Sequence, residues 1–321
     1  MNFNISTLLL AVILLPACTS VIEPSVSKPS SYRVTVTQPK SANFVLQDLV
    51  SDGVFTQGIE GPAVDERGNL YAVNYRREGT IGVVRVQGNH KSQSAKLLQL
   101  PEGSIGNGIR FNAEGEMFVA DYAGHNVLKI DPASQRVEIY AHDARMHQPN
   151  DLAIAASGII YASDPNWSGN SGQLWRIDLD GQATLLEANM GTTNGIEISH
   201  DERLLYVNES VQRRIWVYDL DARGGISNKR LFHQYHDFGL DGMRCDSEGN
   251  LFVARYGAGR VDMLSPQGDV IREVKLVGKF PTNVAFGGVD GRSMYVTLQQ
   301  RGAIETFRVP RAGRSHFLWA Q

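Results

Sequence analysis

Two carboxylates and four carboxamides open the same cassette six times in this 321-residue sequence. Each cassette runs over fifteen residues. Its polar first residue is followed by apolar residues at the second and fourth positions, then by a polar turn and an apolar, aromatic-rich segment. The six first residues, in chain order, are Glu60, Asn107, Asn150, Asn194, Asp241 and Asn283.

These side chains offer only hard oxygen donors, because no His or Cys opens a cassette. Such donors suit Ca²⁺, Mg²⁺ or Mn²⁺ better than Zn²⁺. Glu60 and Asp241 supply two negative charges, which balance one divalent cation, and Asn150 and Asn194 add neutral oxygens. We predict a Ca²⁺ site with these four ligands, and Mg²⁺, Mn²⁺ or Zn²⁺ stay open as other divalent cations. Taken singly, each residue could instead cap backbone groups at a strand start.

A divalent cation with open positions can polarise a carbonyl or phosphoryl oxygen and help to activate water. Asp241 is predicted to take a proton from that water as a base, or to attack the substrate as a nucleophile. The reaction class is hydrolysis of an ester, a lactone or a phosphoester. The candidate substrate-binding residues are Asn107, Asn150, Asn283, His147 and Trp167. For His147 the alternative is a surface histidine, and for Trp167 it is plain loop packing.

The cassettes start 42 to 47 residues apart, a period typical of propeller blades. Alternating apolar residues predict strands on both sides of the polar turn. The sequence therefore predicts an all-β fold, a six-bladed propeller with four-stranded blades. The sixth unit has room for only three strands before Pro310, so a strand within residues 44–50 is predicted to close the last blade. If each cassette opens an innermost strand, the six polar side chains converge at one mouth of the central channel.

Several stretches carry a resemblance to a known family: IEGPAVDERGNLYAVNY, QPNDLAIAASGIIYASDPNW, TTNGIEISHDERLLYVNES, LDGMRCDSEGNLFVARYGAGRV and PTNVAFGGVDGRSMYVT. Together they resemble the SMP-30/gluconolactonase/LRE family of six-bladed propellers across residues 55–310. The resemblance implies a metal-dependent lactonase or related esterase, often with Ca²⁺. It implies that Glu60, Asn150, Asn194 and Asp241 bind the metal, that Asn150 also contacts the substrate, and that Asp241 is the base or nucleophile.

The sequence departs from the sugar-lactone members of that family at two places. Gln148 stands where they carry a basic residue, and residues 164–171 contain no clear counterpart of their acidic sugar-binding residue. The resemblance therefore leaves the lactone or ester unidentified. Two alternatives stay open. One is a non-enzymatic propeller that binds a ligand or partner and uses Ca²⁺ only structurally, and the other is a strictosidine-synthase-like propeller.

The N-terminus has the features of a targeting segment. Residues 8–15 form an apolar run too short to span a bilayer, and Leu15-Pro16-Ala17-Cys18 follows. This pattern resembles a bacterial lipoprotein signal with lipid attached to Cys18. The absence of Lys or Arg before the apolar run keeps an ordinary secretory signal open. Thr19 after the cysteine favours the periplasmic side of the outer membrane, so we expect a lipid-anchored protein of the bacterial cell envelope.

The domain organisation predicted from these features has three parts. They are a signal peptide over residues 1–17, a lipidated Cys18 with a flexible tether over 18–41, and the propeller over 42–321. Residues 311–321 are expected to be a polar tail packed on the outside. The net charge of −3 gives no electrostatic argument for nucleic acid as a partner.

Overall fold

The computed structural model describes residues 42–86 and 92–318. The predicted signal peptide, Cys18 and tether lie outside the described residues. The described chain forms six four-stranded antiparallel sheets that follow one another along the sequence, with one exception at the closure. Within these residues no helix has the length and apolar character needed to cross a bilayer.

In the first three blades the innermost strand comes first in sequence and the outermost comes last. Blade one contains β2 to β5, which are Ala63–Val64, Asn69–Val73, Thr80–Val86 and Ser92–Gln99. Blade two contains β6 to β9, which are Gly106–Phe111, Met117–Asp121, Asn126–Asp131 and Arg136–His142. Blade three contains β10 to β13, which are Leu152–Ile154, Ile160–Asn166, Ser171–Ile177 and Ala183–Met190.

Blades four and five repeat this order. Blade four contains β14 to β17, which are Thr193–Ile198, Leu204–Glu209, Arg214–Leu220 and Ile226–Gln234. Blade five contains β18 to β21, which are Met243–Cys245, Leu251–Arg255, Arg260–Leu264 and Val270–Lys275. Blade six contains β22 to β24, which are Pro281–Gly287, Ser293–Leu298 and Ala303–Arg308.

The outermost strand of blade six comes from the other end of the domain. It is β1 (Gln47–Val50), which pairs antiparallel with β24, and Gln47 lies opposite Thr306. The prediction that an early strand within residues 44–50 completes the last blade is confirmed. Because the first and last strands share one sheet, the ring is held together by hydrogen bonds between them.

Apolar side chains pack each blade face against the next blade. Six buried clusters occur, one between each pair of neighbouring blades. Successive side chains of a strand point to opposite faces, so one strand serves two clusters. In β7, Met117 and Val119 face blade one, whereas Phe118 and Ala120 face blade three. Cys245 lies in one of these clusters, 1% exposed, and acts as a small core side chain.

The C-terminal segment corrects the expectation of a polar tail on the outside. It contains a short helix, α1 (Arg314–Leu318), and Arg314 is 5% exposed. Its guanidinium donates to the carbonyl of Ile154 at 3.0 Å and pairs with Glu202. A cavity of about 50 Å³ separates α1 from the far ends of the innermost strands. The segment thus lies across the end of the central channel where the innermost strands finish.

Candidate functional site

A cavity of about 710 Å³ opens at the end of the channel where the innermost strands begin. Its volume is that of a pocket for a drug-sized ligand. The polar residues that open five of the six cassettes line it, and these are Glu60, Asn107, Asn150, Asn194 and Asp241. Five separate blades therefore bring their first polar side chain to one place, as the sequence predicted.

Blade six corrects the register of the sixth cassette. Val284 pairs with Val296, as Met243 pairs with Val253 in blade five, so the two apolar residues are equivalent. The residue equivalent to Asp241 is then Thr282, which lines the cavity, while Asn283 does not. The predicted cassette start was one residue too late, because Asn283 resembles the other amides in type.

Asn283 and Asp151 directly follow the first residue of their cassettes, and side chains at this position point into the channel below the cavity. Asn283 Nδ2 donates to Asp151 Oδ2 at 3.3 Å, and both residues are buried. Glycine fills this position in the other four blades. A Cβ on Gly108 would lie 2.5 Å from Asp151 Oδ1, and one on Gly242 would lie 1.8 Å from Asn283 Oδ1. The glycines thus leave the room that the two longer side chains fill.

The carboxyl groups of Glu60 and Asp241 lie within hydrogen-bonding reach of each other at the cavity floor. Burial raises the pKa of Glu60 to about 7, and the nearby charge of Asp151 adds to the shift. Burial and the charge of Glu60 raise the pKa of Asp241 well above its usual range. Two carboxylates so close cannot both ionise cheaply without a cation between them.

Three buried oxygens at this floor have no hydrogen-bond partner in the described part of the chain: Asn107 Oδ1, Asn194 Oδ1 and Asp241 Oδ1. A buried polar atom without a partner is rare and costly, so each calls for an explanation. A hard cation would satisfy Asn194 Oδ1 and Asp241 Oδ1, which belong to the predicted ligand set. The donor set of two carboxylates and neutral amides therefore fits Ca²⁺. No group of three or more His, Cys, Asp or Glu that could hold a metal occurs among the described residues.

The backbone around Asp241 is fixed from two sides. Its N–H donates to Ala254 O at 2.9 Å, and Asn208 Nδ2 donates to its carbonyl at 2.6 Å. Below the floor, the Asp151 carboxylate accepts from Arg110 at 2.8 Å and from Arg244 at 3.3 Å. Burial and the charge of Arg244 lower the pKa of Arg110 to about 10. The floor thus rests on a buried ionic network.

Of the two remaining predicted substrate residues, one lines the cavity and one does not. Trp167 lines it, and the backbone N–H of Trp167 donates to Gln148 Oε1 at 3.3 Å. His147 is exposed and is not among the lining residues. Its backbone N–H donates to the buried carboxylate of Asp164 at 3.0 Å. It therefore helps to hold the segment that leads to Asn150.

Other lining residues were missed by the sequence reading. Tyr122, Ser210, Tyr256 and Gln299 each follow the second strand of a blade directly. Because that strand runs antiparallel to the innermost one, its last residues reach the cavity end. A signal was present, since the polar or aromatic residue after the second strand recurs at the blade period. Phe238, which also lines the cavity, gave no such signal.

Comparisons with known proteins show the family and the fold of the chain. The family described as SMP-30/Gluconolactonase/LRE-like region matches residues 59–300. The chain belongs to this family, as the sequence predicted. A gluconolactonase of Zymomonas mobilis is 28% identical over 215 residues, and the match covers 60% of this chain and 60% of that relative.

A second relative, a 6-deoxy-6-sulfogluconolactonase of Pseudomonas putida, is 31% identical over 231 residues, covering 68% of this chain and 78% of the relative. Among solved structures, a calcium-binding regucalcin from Agrobacterium tumefaciens has a TM-score of 0.72 at 22% identity, covering 84% of this chain and 95% of its own. This likeness confirms the six-bladed fold. The names of the two relatives support a lactonase-type hydrolase.

Proposed function

We propose that the protein is a divalent-metal-dependent hydrolase, with Ca²⁺ as the metal, that opens a lactone or cleaves an ester. One observation carries the proposal. Glu60 and Asp241 meet at the floor of a cavity where buried oxygens of Asn107, Asn194 and Asp241 lack partners. The names of the lactonase relatives support the reaction class.

The proposed ligands are Glu60, Asn150, Asn194 and Asp241, all of which line the cavity. When bound, Ca²⁺ would act as a Lewis acid on the substrate carbonyl. Asn107 also lines the cavity, and its proposed role is to contact the substrate. The substrate-binding role predicted for Asn283 moves to Thr282, which takes its place on the cavity wall.

Asp241 is the proposed base. Its carboxylate takes a proton from water as the water oxygen bonds to the substrate carbonyl carbon. The ring C–O bond then breaks, and the proton passes to the departing alkoxide, which gives a hydroxy acid. If Asp241 is the nucleophile instead, its oxygen bonds to the carbonyl carbon, the ring C–O bond breaks and the departing alkoxide takes a proton from solvent. Water then attacks the Asp241 carboxyl carbon of the resulting anhydride and releases the hydroxy acid. Single turnover in H₂¹⁸O separates these routes, because only the second places ¹⁸O in Asp241.

Substitution of the two acids tests the proposal. We expect Asp241→Asn to lower kcat by at least about 100-fold on any lactone that the wild type hydrolyses. We expect Glu60→Gln to weaken Ca²⁺ activation of hydrolysis and Ca²⁺ binding by calorimetry. Asn228→Asp, on the exposed outer strand of blade four, is the control and should change neither quantity. Unchanged hydrolysis in Asp241→Asn, or full activity in a chelator, would rule the mechanism out.

We also propose that Cys18 carries a lipid that anchors the protein to the bacterial cell envelope. The support is the short apolar run that ends in Leu15-Pro16-Ala17-Cys18. Cys18→Ser should move the protein from the membrane fraction to the soluble fraction and remove the mass of the lipid. A membrane-bound, unmodified Cys18→Ser protein would contradict the lipid anchor.

A further inference from the structure

The wall of the cavity carries several large apolar side chains above its polar floor. They include Ile105, Tyr122, Trp167, Val211, Phe238 and Tyr256. Phe238 and Val211 are each 50% exposed, although each contributes a large apolar side chain. Exposed apolar groups that surround a concave site mark a surface that buries an apolar ligand.

Phe238 is held in an unfavourable backbone conformation. Its φ is 46°, in the left-handed region, where a bulky residue is a genuine outlier. Such a conformation persists only where the surroundings enforce it, and it is concentrated at functional sites. Its half-exposed ring gains little from burial in the protein itself. The strained backbone conformation therefore presents the Phe238 ring to the cavity and not to a hydrophobic core.

A buried arginine enforces this conformation. Arg255 is fully buried, and its Nη2 donates to both the carbonyl and Oδ1 of Asp237, at 2.7 Å each. Its Nη1 donates to Asp262 at 2.8 Å, and its guanidinium lies 3.5 Å from the ring centroid of Tyr235. Asp237 directly precedes Phe238, so the loop that presents Phe238 is fixed to the body of blade five.

Several polar groups on the wall are hydrogen-bonded within the protein. The side chain of Asn74 donates to Gly58 O at 2.6 Å and accepts from Gly79 N at 2.9 Å. Glu78 accepts from the Thr56 hydroxyl.

The same holds for polar side chains of blades four to six. The Tyr256 hydroxyl donates to Gln299 Oε1, and Arg213 Nη1 donates to His236 O at 3.0 Å. A ligand rich in hydroxyl groups would have to displace these bonds. Among the cavity residues, the buried polar atoms without a partner in the described part of the chain lie on the floor instead, at Asn107, Asn194 and Asp241.

We propose that the substrate is a lactone with an apolar alkyl or aryl substituent, and not a polyhydroxylated sugar lactone. The substituent packs against Phe238, Trp167 and Val211, and the carbonyl reaches the polar floor. This inference rests on the proposed function and names its substrate class. It separates this chain from relatives whose names specify gluconolactones.

The test compares two six-membered lactones that differ in their substituents: δ-decalactone, with a pentyl group, and glucono-δ-lactone, with hydroxyl groups. We expect kcat/KM to be at least tenfold higher for δ-decalactone. Phe238→Ser should raise KM for δ-decalactone about tenfold, since each buried methylene contributes about fourfold. The increase in KM should be at least fivefold larger for δ-decalactone than for unsubstituted δ-valerolactone. Phe238→Leu should restore most of the loss.

Val289→Ser is the control, because Val289 is 94% exposed in the turn between β22 and β23 and does not line the cavity. It should change none of these constants. A higher kcat/KM for glucono-δ-lactone would overturn the inference and leave the hydrolase intact. An equal effect of Phe238→Ser on both alkyl and unsubstituted lactones would also overturn it.

Binding of the matching lactams, which resist hydrolysis, separates the two proposals. Binding of the pentyl lactam, and not of the sugar lactam, without turnover of any lactone would overturn the hydrolase while supporting the apolar ligand. Binding of neither lactam and turnover of neither lactone would overturn both.

Discussion

The proposed chemistry at the residue scale depends on a pair of acids that repel each other when both are charged. Glu60 comes from blade one and Asp241 from the loop before blade five, and they meet within hydrogen-bonding reach. Burial raises both pKa values. The structure keeps this unfavourable pair beside unpartnered amide oxygens, which a hard cation would stabilise. The same pair determines how metal binding responds to pH.

We predict that the apparent Ca²⁺ affinity falls as the pH drops below about 7. The pKa of Glu60 is raised to about 7 in the metal-free protein, so Ca²⁺ must displace a proton below that pH. Displacement of the Glu60 proton alone gives about a tenfold loss per pH unit, and the raised pKa of Asp241 makes the loss steeper. Calorimetric titrations from pH 5.5 to 8.5 measure this slope. An affinity that is flat across this range would mean that Glu60 does not bind the metal.

The stability of the metal-free protein should fall as the pH rises, whereas the Ca²⁺ affinity should rise. The folded state holds the Glu60 proton more tightly than the unfolded chain, in which the pKa of this carboxyl is near 4.5. The free energy of unfolding is therefore expected to decrease as the pH rises from 4.5 through 7. Added Ca²⁺ should reverse the decrease above pH 7.

The residue types at the cassette starts predicted most of the cavity floor, and they also led to the wrong start of the sixth cassette. Five cassettes open with a carboxylate or carboxamide that lines the cavity. In the sixth, Thr282 takes that place, and the adjacent Asn283 looked like the better match. Phe238 could not be found from sequence, because its role depends on a φ of 46° enforced by Arg255. A backbone conformation imposed by a distant side chain leaves no local pattern.

At the scale of the strands, the size of the residue directly after each cassette's first residue sets how closely the innermost strands approach one another. Gly242 allows Asn283 to enter the channel, where Asn283 donates to Asp151. The helix α1 at the other end was not predicted, because five residues are too few to show a helical period.

We predict that Gly242→Ala destabilises the protein by about 1–3 kcal/mol, the usual cost of an extra group in a packed interior. The added Cβ would lie 1.8 Å from Asn283 Oδ1, so blades five and six would have to move apart. Urea unfolding measures the change. Gly239→Ala is the matched control, since its Cβ would meet nothing closer than 3.5 Å. Equal stability of the two variants would mean that the channel can expand freely.

The whole molecule depends on the closure of its ring. Periodicity predicted six blades, and the shortage of strands in the sixth unit predicted that an early strand completes it. The pairing of β1 with β24 confirms both. Arg301 adds ion pairs from blade six to Asp48 and Asp52, at 2.9 and 2.6 Å. Residues from opposite ends of the domain thus close the structure that brings Glu60 and Asp241 together.

We predict that Val50→Asp lowers the free energy of unfolding by more than about 2 kcal/mol, because Val50 is 3% exposed in an apolar cluster where burial of a charge is costly. Val45→Asp is the matched control, since Val45 is 51% exposed just before β1. It should change the free energy by less than about 0.5 kcal/mol. Similar losses in both variants would contradict closure through β1.

The central claim is that Glu60, Asn150, Asn194 and Asp241 share one hard cation at the mouth of the channel. A crystal structure determined with Ca²⁺ tests it most directly. We predict one ion at the cavity floor with oxygens of all four side chains at about 2.3–2.6 Å. An ion bound elsewhere, or a floor that stays free of metal at saturating Ca²⁺ while the two carboxyls bond only to each other, would contradict the account.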